Sequence, residues 1–191
     1  MAIAYESTSN VVGPRTGPSD FVGLLEVNVW VAMFLVTCAP EKADALDPVQ
    51  AAPGRRFLRN VARGADLPDG RLPILACSHH IVRTAAHVLA TKHGVNEHDA
   101  AAWILAQVKA ALHEGRAVFD DTRWTAEALK AQRAVRGDDA APDEEDQGVH
   151  ESARTLNATI IGLDAQSQEA FEGGGGRWLA PRDALRLLPN V

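Results

Sequence analysis

Phe21–Cys38, FVGLLEVNVWVAMFLVTC, is the stretch on which the fold turns. Its 18 residues just reach the length of a membrane-spanning helix. Glu26 and Asn28 interrupt it, and a Glu inside a span costs about 2.5 kcal/mol or more on insertion scales. No basic cluster closely flanks either end to orient a span. The run is instead rich in Val, with Leu25, Val27, Val29, Val31, Met33 and Leu35 on one side of a period-two pattern. That pattern predicts one long buried β-strand, and a membrane is not expected as a partner.

Before this run, MAIAYESTSNVVGPRTGPSD has neither the basic start nor the apolar core of a secretory signal and reads as a flexible tail. After it, Pro40, Pro48 and Pro53 limit any helix between Cys38 and Gly54 to a turn or two. Arg55–Arg63, RRFLRNVAR, gathers Phe57, Leu58, Val61 and Ala62 on one side and reads as a short amphipathic helix stopped by Gly64. Leu72–Cys77, LPILAC, follows the Asp69-Gly70 turn as a short buried strand, with Pro73 pointing to a sheet edge or a strand start.

The clearest helical periodicity begins after Ser78, a good N-cap, and runs to Gly94, a good stop. Asn96 caps a second helix that runs to Gly115 with Ile104, Leu105, Val108 and Leu112 on its apolar stripe. The linking HGVN is short, so the two helices should pack as a hairpin. Asp121 or Thr122 would cap a third helix that carries Trp124, Ala128, Leu129 and Val135. Leu156–Asp164 and Arg177–Leu179 read as strands, the GGGG at 173–176 as a flexible loop tip, and Pro181 as the first turn of a terminal helix.

This order predicts an α+β protein, a small mixed or antiparallel sheet packed against a helical hairpin and further short helices. Residues 1–20 form the tail, 21–137 the main domain, 138–148 an acidic linker and 149–191 a β-containing segment packed on the main domain. The formal charge is −6, but Asp138–Asp146 alone holds six acids and no base, and without it 19 acids face 19 bases. A balanced remainder argues against a broadly nucleic-acid-coating surface and leaves room for a local basic site. Cys38 and Cys77 stand far apart, belong to no metal-like pair and read as two buried thiols, which points to a cytoplasmic or other reducing compartment.

Three constellations carry chemistry. His80, Arg83 and His87 share a helical stripe about 60° wide. Two imidazoles and an arginine could act as acid, base and phosphate holder in cleaving a phosphodiester without a metal. His80 and His87 stand roughly 10 Å apart along the axis, too far to share a zinc unaided. His79, His93, His98 and His113 form no metal spacing, and neither metal nor cofactor is expected. Arg55, Arg56, Arg59 and Arg63 form a cluster in which Arg55, Arg59 and Arg63 step by four, making a basic ridge suited to phosphates or a partner's carboxylates. Ala90, Gly94, Val95, Ala100 and Trp103 have the spacing of a DNA-reading helix pair, but the second helix opens Glu97, His98, Asp99 with no Arg or Lys until Lys109, so a DNA backbone would be repelled where contact is required.

With no nucleophile motif in sight, the reading leans away from an enzyme. It favours an interaction or assembly protein that binds a protein partner, or a second copy of itself, through the arginine ridge and exposed helix faces. A ribonuclease-like enzyme using His80, Arg83 and His87 is the alternative, and a helix-turn-helix regulator the third. Nucleic acid is a partner in both of these.

Overall fold

The computed structural model describes residues 11–136 and 144–190. Six strands form one sheet: β1 (Val11–Val12), β2 (Asp20–Leu25), β3 (Leu72–Ser78), β4 (Ala117–Asp120), β5 (Thr159–Ile161) and β6 (Arg177–Leu179). Their order is β1-β4-β3-β2-β5-β6. Every neighbouring pair is parallel except β1 with β4, so the sheet is mixed and the chain is an α+β protein. In β2 and β3 consecutive residues are buried, from Phe21 and Pro73 to the strand ends. Successive side chains of a strand point to opposite faces, so both faces of the central sheet are covered.

The long strand expected over 21–38 is not there. β2 ends at Leu25, Glu26 stays extended, and Val27–Cys38 is helix α1. Val27, Val29, Trp30, Val31, Ala32, Met33, Phe34 and Leu35 are all buried, so the helix is apolar around its whole circumference. A period-two subset can be picked from any such run, which is why periodicity did not separate strand from enclosed helix. Among the described residues no helix is long and apolar enough to cross a membrane.

Helix α2 (Asp47–Arg63) is longer than the prolines seemed to allow. Pro48 lies in the first turn, where a missing N–H costs nothing; Pro53 lies deeper and is buried. The helix persists because Phe57 packs edge-on to Phe21 and Gly54 lets its backbone close on Val29 and Met33 of α1. Tertiary contact outweighs the lost hydrogen bond.

The hairpin is present as α3 (His79–His93) and α4 (Glu97–His113). Ser78 and Asn96 cap them as expected, and Gly94 ends α3 in the left-handed conformation at φ 62°. On α4, Trp103 packs edge-on to Trp30 and Phe34 of α1. Helix α5 (Ala126–Arg136) starts later than expected: Thr125 accepts from the Ala128 N–H, and Trp124 precedes the helix.

Residues 144–148, read as linker, are the first turns of α6 (Glu144–Thr155), while 138–143 lie outside the described residues. Helix α7 (Ala165–Gly173), capped by Asp164, fills the span between β5 and β6. In the glycine run residues 173–175 are exposed, Gly175 turns the chain at φ 79°, and Gly176 is closely packed, where a side chain would run into Phe171. Helix α8 (Pro181–Leu187) closes the chain against α2.

Candidate functional site

Four strands bring chemistry to the carboxyl edge of the sheet, where α/β sheets present their ligand sites. At the end of β2, Glu26 is only 2% exposed, and its Oε2 accepts the Leu163 N–H at 2.6 Å. Burial is the main force raising its pKa from 4.5 to about 7; Asp146 and Asp164 add to the rise, while the Leu163 and Asp164 N–H groups oppose it. A side chain at Gly162, after β5, would collide with Glu26 and Trp178. Sequence reading gave Glu26 no role, although a lone acid in an apolar run was its one visible sign.

At the end of β3, the Ser78 hydroxyl accepts from the Ile81 N–H at 3.3 Å and is hydrogen-bonded to the Ser152 hydroxyl of α6 at 2.9 Å. Beside Ser78 in register, Asp120 ends β4 with no exposed surface. One of its oxygens accepts from the Thr122 N–H at 3.0 Å and Oδ2 has no partner.

The stripe expected on α3 lies where α3, α5 and α6 meet. His80, Arg83, Thr84 and His87 line one cavity of about 400 Å³ with Glu97, Trp124 and Glu145. The two imidazoles differ. His80 is buried against Gly148, and its Nε2 lies 2.9 Å from the Glu145 carbonyl oxygen. A carbonyl only accepts, so Nε2 carries the proton and donates it there. Burial pushes the His80 pKa below the ordinary value of 6.5, with Arg83 adding in the same direction and the Glu145 carbonyl opposing. His80 is therefore a neutral, anchored ring, whereas His87 is exposed.

Arg83 is also exposed and makes no ion pair among the described residues. The Trp124 indole N–H is buried without a partner. Nothing in the sequence announced Trp124, Glu97 or Glu145 as neighbours of the α3 stripe, since each arrives from a different element. Arg83 and Glu97 also line a second cavity of about 560 Å³ between α3 and α4, bounded by Val82, Leu105 and Phe119.

No protein-family model matches the chain, and no curated protein matches it in sequence. Its geometry therefore carries the functional argument alone.

The arginine cluster divides. Arg55, Arg59 and Arg63 are exposed on α2, but Arg56 turns inward and donates to the carbonyls of Leu185 and Leu188 at the end of α8, at 2.8 and 3.3 Å. A four-residue step kept three arginines on one face and put the fourth on the packed side. The cysteines are both free: Cys77 is buried in β3, its thiol pushed up to about 12 by burial, and Cys38 is exposed at the end of α1, contrary to the expectation of two buried thiols. Among the described residues no group of three His, Cys, Asp or Glu is placed to hold a metal ion.

Proposed function

We propose that the protein binds a phosphate ester in the cleft on α3, with Arg83 holding the anion and His87 as the proton-carrying group beside it. The observation that carries this reading is that Arg83 and His87, both exposed, line one cavity with Trp124, with no carboxylate paired to Arg83 among the described residues. Phosphate favours Arg83 because a guanidinium fork offers parallel N–H donors to two oxygens at once. Glu97 and Glu145 in the same cavity favour an ester that also offers a hydroxyl or amine donor.

In the cleavage version of this reading, His87 rather than His80 is the imidazole that exchanges a proton, because His80 spends its N–H on Glu145 and serves to hold the α6 backbone. Calorimetric titration with methyl phosphate tests binding. Arg83→Ala should weaken it at least about tenfold, a loss expected for a charge-assisted contact. No binding at millimolar ligand, or equal binding by Arg83→Ala, would overturn the proposal. RNA cleavage in EDTA by the parent and its loss in His87→Ala test the catalytic step.

The second reading, assembly on a macromolecular partner, is favoured by the exposed row Arg55, Arg59 and Arg63. Light scattering after size exclusion, with the 260/280 nm absorbance ratio on the same peak, tests it. A clean monomer whose mass is unchanged when Arg55, Arg59 and Arg63 are all replaced by Glu argues against self-assembly. The helix-pair reading for DNA gains nothing from the fold, because Trp103 is spent on the α1 contact and the first turn of α4 carries Glu97 and Asp99.

A further inference from the structure

We infer that the ester bound in this cleft is an aromatic one, with its phosphate at Arg83 and its ring in the lobe between α3 and α4. The inference rests on the phosphate reading above and adds the class of alcohol. Arg83 and Glu97 stand on the wall common to the two cavities, so a ligand gripped there is within reach of both. The two lobes differ in kind. The first carries His80, Thr84, His87 and Glu145 beside Trp124. The second is the more apolar: Val82, Ala86, Ala101, Leu105 and Phe119 offer a ring contact area, with His79, Asn96 and His98 beside them.

Volumes of about 400 and 560 Å³ each fall in the range of small-molecule sites. A bare phosphate would leave the larger lobe wet, and a long aliphatic chain would gain less from the Phe119 face and from the imidazoles of His79 and His98 that share the lobe. A flat ring can pack on the Phe119 side of the lobe, and Arg83 on the shared wall adds attraction between cation and ring.

Phenyl phosphate and methyl phosphate carry the same charged group and differ in the ring. Titrated calorimetrically into the full chain, phenyl phosphate should bind at least about tenfold tighter, the gain expected from burying a ring face. Ala101→Phe, which fills the second lobe, should remove that advantage and leave methyl phosphate binding unchanged. Leu105→Ala, which trims the lobe wall, should reduce the advantage several-fold with methyl phosphate again unaffected. If methyl phosphate fails to bind the parent, the phosphate reading itself falls. If methyl phosphate binds and phenyl phosphate binds no tighter, or keeps its advantage in both Ala101→Phe and Leu105→Ala, the aromatic assignment alone is overturned. Should Ala101→Phe lose both ligands through misfolding, Leu105→Ala decides.

Discussion

Helices α1 and α3 stand in equivalent places, each springing from the carboxyl end of a central parallel strand, and they are put to opposite uses. Glu26 follows the strand before α1, and its carboxyl turns onto the Leu163 N–H, so the junction of β2 and β5 is filled by the protein itself. That junction is where strand order reverses, the usual place for a ligand in such sheets. The strand before α3 ends in Ser78, which caps its helix and leaves the next two turns to present His80, Arg83 and His87 to a cavity. The two helices show that position in the topology makes a site available, while the polarity of the helix that follows decides whether it stays open.

The largest expected effect lies on the closed side. Trp30→Ala, at a fully buried position of α1, should lower unfolding free energy by about 4 kcal/mol in urea titration. A cost below about 1 kcal/mol would mean that α1 is not the packed centre described here.

Next comes the pH dependence of the same side. Glu26 has a folded-state pKa of about 7 against an ordinary 4.5, so the folded protein holds its proton more tightly than the unfolded chain. The stability from that protonation is complete below about 4.5, falls as pH rises through 7 and is absent above it, a total of about 3 kcal/mol. Glu26→Gln keeps an oxygen for the Leu163 N–H and should flatten this profile, making the variant more stable than the parent at pH 8. A parent whose urea midpoint does not drop between pH 5 and 8 would contradict the buried carboxyl.

The open side should respond in the reverse sense. Arg83→Ala is expected to cost at least about 1.4 kcal/mol of phosphate-ester binding, equivalent to tenfold. Both it and His87→Ala should move stability by no more than about 0.5 kcal/mol, since both side chains are exposed. Calorimetry and urea unfolding on the same samples check the split. Loss of stability by either variant would make the α3 stripe part of the scaffold.

Local signals in the chain were legible where they act locally. Ser78, Gly94 and Asn96 marked α3 and α4 because a cap or a left-handed stop is satisfied within four residues. Pro181 marked α8 for the same reason. Helix α6 was missed because it begins inside an acid-rich run, and its burial comes from faces it shares with α3, α5 and β3. The α3 stripe was legible as a spacing, but the difference between its histidines was not: only the Glu145 carbonyl and Gly148, more than sixty residues away, anchor one ring and leave the other exposed. Spacing set Arg56 off the face shared by Arg55, Arg59 and Arg63, but its partners, two carbonyls at the end of α8, came only with the fold.

By itself, then, the amino-acid sequence determined a mixed α/β content, the capped helix pair and the shared face of His80, Arg83 and His87, all set by hydrogen bonds and periodicities a few residues long. Only the tertiary structure decided that Val27–Cys38 is a helix, that Glu26 closes one end of the sheet and that the α3 face lines a cavity. An all-apolar run or an exposed-looking charge takes its conformation from whatever packs against it, and that partner is chosen by the whole chain.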